Sequence, residues 1–224
     1  MPALPEWVEP VARYMLEEGL PGTARIAIGS LVVSAVVGIL LGTLLTIRFL
    51  PLQAVIRLYI EVWRGLPIIV TIFMIYFLLP ALGPTFEFDP FTTATIGLSL
   101  WGSAQVAEAT RGSVQSIPRE QHEAAAALGF GWIGRHSFVI LPQALRRLLP
   151  PLVSLLVNII QNTTIAQVIG AAELLETGER SVERLTLIDG ENHSIEIYGA
   201  VAVVFFLISF PLTRLAAYLE KKLV

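Results

Sequence analysis

The sequence has no cysteine, few charged residues and no large excess of charge of either sign. Only 15% of its 224 residues are charged, and the formal net charge is −3 at pH 7. The lack of cysteine excludes a disulfide framework and a cysteine metal site. The three histidines (His122, His136 and His193) lack the spacing of metal ligands, and the weak negative charge does not indicate nucleic-acid binding. We therefore expect no metal site and no nucleic-acid partner.

What the sequence does have is long apolar runs. Apolar residues make up 54% of the chain, and the mean hydropathy is +0.71. No charged residue occurs between Ile26 and Ile47. Such a run is long enough to cross a hydrocarbon layer about 30 Å thick. Several runs of this kind in one short chain favour an all-α, multi-pass membrane protein over a soluble protein with buried helices.

Five segments have the length of a tilted transmembrane helix. They cover residues 23–47, 61–82, 91–110, 148–165 and 197–218. Residues 1–22 are predicted to form an external segment, and residues 23–224 a single transmembrane domain. Within the external segment, residues 10–20 form either an amphipathic helix on the outer membrane surface or a frayed terminus. The start of the chain lacks the basic region of a secretory signal, so the first span is expected to be retained.

The distribution of basic residues predicts the orientation. Basic residues are concentrated in three regions. Arg48, Arg57 and Arg64 lie around the start of the second span, and Lys221 and Lys222 lie at the C-terminus. The loop between the third and fourth spans has Arg111, Arg119, Arg135, Arg146 and Arg147. In contrast, residues 81–90 have no basic residue, and residues 167–196 combine Arg180 and Arg184 with seven acids. Because positively charged loops stay in the cytoplasm, the N-terminus is predicted outside and the C-terminus in the cytoplasm.

The basic loop between the third and fourth spans has the composition of a short exposed helix. Ser116, Pro118 and Glu120 predict a helix start with a cap, an early proline and an acid near the helix N-terminus. Four successive alanines, residues 124–127, favour the helix, and Gly129 suits its end. A small apolar face has no use in a solvated loop but fits the groove of a partner protein. We therefore predict a docking helix at about residues 117–130.

This loop carries a resemblance to a known family. Glu123-Ala124-Ala125, then Gly129, then residues 139–142 (Val-Ile-Leu-Pro), follow the spacing of the EAA motif, so the chain resembles the permease subunits of bacterial ATP-binding-cassette (ABC) importers. Val139 stands where the motif prefers isoleucine. Segments that resemble the polar amino-acid branch of this family are residues 59–67, 107–112, 115–118, 141–144 and 149–151. Two departures leave the particular amino acid open: Gln105 replaces the usual aromatic residue, and Gln161-Asn162-Thr163 replaces the usual Lys-Asp-Thr/Ser.

The resemblance implies a role and a set of partners. It implies the MetI-like importer permease fold in the bacterial inner membrane, with no bond chemistry and no cofactor in this chain. Two permease subunits, identical or different, would form the path through the lipid, and a dimer of separate ATPase subunits would bind ATP and Mg. An extracytoplasmic solute-binding protein would deliver a polar amino acid. Glu123, Ala124, Ala125 and Gly129 would belong to the coupling helix through which ATP hydrolysis drives alternating access. No Walker-type phosphate loop occurs in the sequence, which agrees with a separate ATPase.

Polar side chains within the spans mark a candidate substrate path, because such groups are costly in lipid. The candidates are Gln105, Glu108, Ser154, Asn158, Gln161, Asn162 and Thr163. The alternatives are hydrogen bonds between helices and, for Glu108, an ion pair with Arg111 or Arg64. Gly38 and Gly42 form a small-xxx-small pair that predicts close helix packing.

Three other functions are alternatives to an amino-acid importer permease. A permease of the same fold could carry methionine or an osmoprotectant. A channel or a secondary transporter would often show an internal repeat, which is not visible here, and would leave the alanine-rich loop unexplained. A catalytic membrane enzyme would need a carboxylate pair, a metal cluster or a nucleophile motif, and the sequence suggests none of these.

Overall fold

A computed structural model describes residues 5–47 and 49–223 of the chain. Within these ranges every regular element is helical, as predicted. The α-helices are α1 (Val8–Tyr14), α2 (Leu20–Leu44), α3 (Leu50–Gly65), α4 (Ile68–Phe73), α5 (Pro90–Gln115), α6 (Arg119–Ala127), α7 (Trp132–Arg135), α8 (Leu141–Asn162), α9 (Leu174–Asp189) and α10 (Ser194–Leu223). Segments of π-helix (Met15–Gly19, Met74–Leu78, His136–Ile140) and 3₁₀-helix (Leu79–Leu82, Pro84–Phe86, Thr163–Ile169) connect several of them.

Three helical stretches in the described residues are long and apolar enough to cross a membrane. They are Val8–Leu44, Trp132–Ile169 and Ser194–Leu223. A fourth span results if α3 and the helical stretch Ile68–Leu82 are counted as one broken span. The remaining predicted span lies in α5, whose 26 residues would reach about 39 Å but include Glu108 and Arg111.

The bounds of the predicted second span are wrong. Residues 61–82 do not form one helix, because α3 ends at Gly65 and α4 begins at Ile68. Leu66 has extended backbone angles (φ −79°, ψ 137°). Pro67 disfavours the helical conformation of the residue before it, so the break falls where the sequence places this proline.

One further prediction is wrong, and one helix was not predicted. Ser116 does not cap the docking helix: its N–H donates to the Gly112 carbonyl at the end of α5, and Pro118 occupies the N-cap without a side-chain bond. Helix α9 was not predicted, because residues 167–196 were interpreted only as an acidic external stretch. Its N-cap is Glu173, and its charged residues obscured the apolar face.

The segment of residues 10–20 is helical and packs against other helices of the chain. Residues 10–20 are not frayed, since α1 and the π-helix Met15–Gly19 lead directly into α2. Met15 is buried in a cluster with Leu174, Leu185 and Ile197. This packing is what orders the segment. Residues 1–4 and Arg48 lie outside the described residues.

The chain divides into two compact units, each with its own core. The described residues of the first unit are 5–30, 68–98 and 158–211, and those of the second are 31–47, 49–67, 99–157 and 212–223. In the first unit, described residues form buried apolar clusters around Ile26 and around Leu174. In the second unit, they form such clusters around Ile60 and around Ile140.

In its second half, helix α2 buries its glycines and exposes large apolar residues. Gly38 and Gly42 face α5 so closely that a Cβ at Gly42 would lie 2.4 Å from the Ala107 carbonyl oxygen. In contrast, Val36 is 65% exposed and Leu40 is 58% exposed. Because lipid solvates apolar side chains, close packing of small residues stabilises such a helix pair, and the packing predicted for the glycine pair is confirmed.

Candidate functional site

Helix α6 turns one face towards its own unit and the opposite face outwards. Ala125 is 2% exposed and marks the inner face. Glu120, Glu123, Ala124 and Ala127 are exposed, and their helical spacing places them on the outer side. The outer face therefore combines small apolar side chains with carboxylates. Arg119 Nε donates to Glu123 Oε1 at 2.7 Å, but both side chains remain more than half exposed, so this pair holds Glu123 only weakly.

Gly129 ends this helix with a backbone that favours glycine. Its φ is +84°, in the left-handed region. The Gly129 N–H donates to the Ala126 carbonyl at 3.0 Å, and the Phe130 N–H donates to the Ala125 carbonyl at 3.1 Å. These two bonds form a Schellman motif, in which glycine avoids the steric cost of a Cβ. The predicted role of Gly129 as the helix end is confirmed.

The second half of the EAA motif anchors the loop that carries α6. Ile140 is completely buried and packs with Val114, Ile117 and Ala144, while Val139 contacts the same cluster from its edge. The motif thus supplies an exposed helix and, after a fixed spacing, the apolar residues that hold the helix near the end of α5.

Two polar tethers in the loop were missed by sequence reasoning. Gln143 donates to Gln121 Oε1 at 3.2 Å, which joins α8 to α6. Arg147 Nη1 donates to the Ser116 carbonyl at 2.6 Å and to Ser116 Oγ at 2.9 Å. The only signal in the sequence is that Gln143 and Arg147 lie four residues apart on one helix face, and this spacing does not identify their partners.

The candidate path residues of α5 have different surroundings. Gln105 is half-buried. Glu108 pairs with Arg111, whose Nε donates to Glu108 Oε2 at 3.1 Å and whose Nη2 donates to Oε1. The ion pair considered as the alternative for Glu108 is therefore present. A paired carboxylate is a less suitable ligand for a passing solute than a free one.

Tyr59, from one of the family-like segments, also bonds to α5. Its hydroxyl lies 2.7 Å from Ser103 Oγ, and Ser103 Oγ donates to the Leu100 carbonyl at 3.0 Å. Tyr59 is therefore the donor to Ser103. This bond joins α3 to α5 within the second unit.

Near the end of α8, two of the candidate side chains are exposed and two are hydrogen-bonded to the backbone of the preceding turn. Asn158 and Gln161 are exposed. Asn162 Nδ2 donates to the Asn158 carbonyl at 2.7 Å. Thr163 has no exposed surface, and its hydroxyl donates to the Ile160 carbonyl at 2.8 Å. Of these four candidates, Asn158 and Gln161 are therefore the two whose side chains are not bonded to their own helix.

Ser154 lies in the second unit, where it lines a cavity of about 440 Å³. Pro150 of the same helix lines this cavity, and Arg147 and Glu220 place one charge of each sign in its wall. A cavity with both charges and a hydroxyl can hold a small polar solute or water.

The family follows from comparison with known proteins. Residues 24–224 match the family model described as "Binding-protein-dependent transport system inner membrane component". This chain belongs to that family. It is therefore a multi-pass protein of the inner membrane and a permease component of a transport system, as the EAA motif predicted.

Individual relatives are similar over nearly the whole chain. The chain is 37% identical to the "Glutamine transport system permease protein GlnP" of Escherichia coli (strain K12) over 209 residues, 93% of each protein. A solved structure of an amino acid ABC transporter, with histidines, matches with a TM-score of 0.81 and 25% identity over 98% of this chain and 100% of the other. The inward-facing MetNI methionine ABC transporter matches with a TM-score of 0.80 at 16% identity, over 96% of this chain and 99% of the other. The predicted MetI-like importer permease fold is confirmed.

Proposed function

We propose that this chain forms half of the path of an importer for a polar amino acid and that α6 docks onto a separate ATPase subunit. The observation that carries the proposal is the outer face of α6, where Glu123, Ala124 and Ala127 are exposed on a helix whose buried side is anchored. The names of GlnP and of the amino acid ABC transporter support the substrate class. The similarity to a methionine transporter is limited to the fold and does not identify a substrate. A methionine permease of the same fold is the second candidate.

The proposed mechanism assigns this chain positioning and movement rather than bond chemistry. ATP and Mg are bound by the partner ATPase, and closure of the ATPase dimer moves α6 together with the elements to which it is anchored. The cluster around Ile140 holds Ile117, two residues before α6, against α5 and α8, and the Gln143–Gln121 bond joins α6 to α8. Such connections allow a displacement of α6 to change the exposure of a substrate path, which is alternating access between two states.

Charge reversal on α6 tests the docking role. Glu123→Lys should reduce co-purification of the ATPase subunit and ATP-driven uptake, because it places a cation where the partner groove meets a carboxylate. Gly129→Val should act in the same direction by straining the helix end. Glu191→Lys is the matched control, since Glu191 is 75% exposed and lies outside α6. If both α6 variants retain the ATPase and the uptake rate of the unmodified chain, α6 is not the docking helix.

Amide substitutions test the substrate path separately. Asn158→Ala and Gln161→Ala should lower the uptake of a polar amino acid while the ATPase still co-purifies. Asn162→Ala should have a smaller effect, because its amide is bonded to the Asn158 carbonyl. Uptake in membrane vesicles with labelled glutamine, methionine and a quaternary ammonium osmoprotectant identifies the substrate class. Unchanged kinetics in the Asn158 and Gln161 variants would remove both residues from the path, and preferential methionine uptake would favour the second candidate.

A further inference from the structure

The first unit contains a cavity between α1 and α9 that the transport mechanism does not use. Its volume is about 460 Å³. Trp7, Val11 and Tyr14 line it from α1 and the residue before it, and Leu185 and Ile188 line it from α9. These side chains make the wall largely apolar, with two aromatic rings that each carry one polar group.

Two guanidinium groups stand at the edge of this apolar wall. Arg180 and Arg184 both line the cavity and lie one helical turn apart on α9. Arg180 pairs with the Glu176 carboxylate. Arg184 is exposed, and none of the described side chains forms an ion pair with it. None of the described carboxylates lines the cavity, so the charge of Arg184 makes its polar edge positive.

Glu176 offsets the charge of Arg180. Glu179 and Glu183 do not offset the charge of Arg184, because they lie on a different side of the helix. Glu179 and Glu183 are about 100° away from Arg180 and Arg184, respectively, around the helix axis. The helix is thus divided into an acidic side, a basic edge and an apolar side. Its last turns also expose apolar groups, with Leu187 87% and Ile188 68% exposed. A helix of this kind suits the boundary between water and lipid.

We propose that the cavity binds an anionic phospholipid. The phosphate lies against Arg180 and Arg184, where guanidinium groups form charge-assisted hydrogen bonds to phosphate oxygens. An acyl chain follows Val11, Leu185 and Ile188 into the cavity, and Trp7 and Tyr14 lie at the level of the headgroup, where aromatic residues are enriched in membrane proteins. The bound lipid fastens α1 to α9. This inference depends on the membrane location of the family and is independent of the transported substrate.

A neighbouring cleft supports an amphiphile with more than one chain. It lies on another side of α1, has a volume of about 430 Å³ and shares Trp7 and Val11 with the first cavity. Val8, Met15 and Ile197 add to its apolar wall. A second acyl chain has space here, whereas a free phosphate ion would leave both apolar walls exposed.

Native mass spectrometry of the purified chain in mild detergent tests the proposal. The chain is titrated with phosphatidylglycerol and with phosphatidylcholine of the same acyl composition. The unmodified chain should prefer phosphatidylglycerol. Arg184→Gln should weaken phosphatidylglycerol binding about fivefold, since one basic residue near a lipid surface contributes about that factor, and should reduce the preference over phosphatidylcholine. Arg184→Lys should retain most of the preference because it keeps the charge.

Two further variants separate the site from general charge and from unfolding. Arg13→Gln removes a 73% exposed arginine from α1 that does not line the cavity, and its lipid binding should equal that of the unmodified chain. Val11→Trp should fill the cavity and weaken phosphatidylglycerol binding without any loss of charge. Melting curves confirm that each variant is folded at the temperature of the titration.

Three results would overturn the proposal. The first is equal affinity of the unmodified chain for the two lipids, and the second is an equal loss of affinity in the Arg13 and Arg184 variants. The third is an Arg184→Gln variant that binds phosphatidylglycerol as the unmodified chain does but binds the solute-binding protein more weakly. That last result would make the cavity a protein-docking surface.

Discussion

Glu173 is a fully buried carboxylate at the start of α9, outside the long apolar helical stretches. Its two oxygens accept hydrogen bonds from the Glu176 N–H at 2.8 Å and the Leu175 N–H at 3.0 Å. Burial nevertheless raises the pKa of Glu173 from 4.5 to about 7, and the backbone donors offset only part of this effect. The side chain caps α9 and is mainly protonated below about pH 7.

The raised pKa of Glu173 predicts how stability depends on pH. The folded chain keeps the proton up to about pH 7, whereas the unfolded chain loses it near pH 4.5. The free energy of unfolding should therefore fall by about 3 kcal/mol as pH rises through this window. Above the window it should level off. Glu173→Gln should flatten the decline, because a neutral amide does not titrate in this range, while its single oxygen can still accept one of the two capping bonds.

Thermal midpoints in detergent at pH 5, 6 and 7.5 provide the measurement. Glu191→Gln serves as the control, because Glu191 is mostly exposed and its substitution should leave the decline unchanged. The same slope in the Glu173→Gln variant and the unmodified chain would show that Glu173 does not carry the pH dependence. Burial also raises the pKa of Glu176, so some decline should remain in the Glu173 variant.

The loop that carries α6 shows how one element depends on residues outside it. Helix α6 has nine residues and only one fully buried side chain, Ala125, so it has little stabilisation of its own. Short helices are marginal in isolation and rely on tertiary packing. The Gln143–Gln121 bond holds α6 directly. Its two ends are held by the cluster around Ile140, which includes Ile117 just before the helix, and by the ring contact between Phe130 and Phe138, whose centroids are 6.2 Å apart.

Removing the buried side chain at position 140 should therefore loosen the loop. Ile140→Ala should lower the free energy of unfolding by about 2–5 kcal/mol through lost burial and a cavity. It should also increase amide hydrogen exchange in α6, because the anchor of that helix is weakened. Ile133→Ala is the matched control, since Ile133 is 74% exposed on the neighbouring α7 and should change both quantities little. Equal exchange in α6 for the two variants would argue against the anchor.

At the scale of the whole molecule, the two sides of the membrane remain a prediction. Five spans place residues 1–22 and 167–196 outside and the docking helix and the C-terminus in the cytoplasm. The distribution of arginine and lysine supports this arrangement. The structure adds that the second predicted span is interrupted at Leu66-Pro67.

The lack of native cysteine makes this topology directly measurable. Single substitutions Glu9→Cys and Glu191→Cys should react with a membrane-impermeant maleimide added to the outside of spheroplasts. Glu120→Cys and Lys221→Cys should react only after the membrane is opened. All four residues are exposed, so access depends on the side of the membrane. Reaction of Glu120→Cys in closed spheroplasts would contradict the orientation and, with it, the cytoplasmic docking helix.

Sequence reasoning was most successful where the signal is local. The exposed alanine-rich helix, its end at Gly129 and the close packing at Gly38 and Gly42 follow from side-chain size and backbone preference. It failed for Ser116, because a serine two residues before Pro118 suits a cap equally well whether or not the preceding helix extends to it. It failed for α9, because the acidic residues on one side of that helix concealed an apolar side that packs against Met15.

The amino-acid sequence by itself determined the membrane class, the helical content, the exposed helix α6 and the family, because these depend on the composition and spacing of nearby residues. The tertiary structure decided which polar groups pair, such as Arg147 with Ser116, and which face of α6 is anchored. It also decided where Glu173 is buried and where a cavity lies beside Arg184. These features depend on contacts between residues far apart in the chain, whose partners are chosen only when the helices pack.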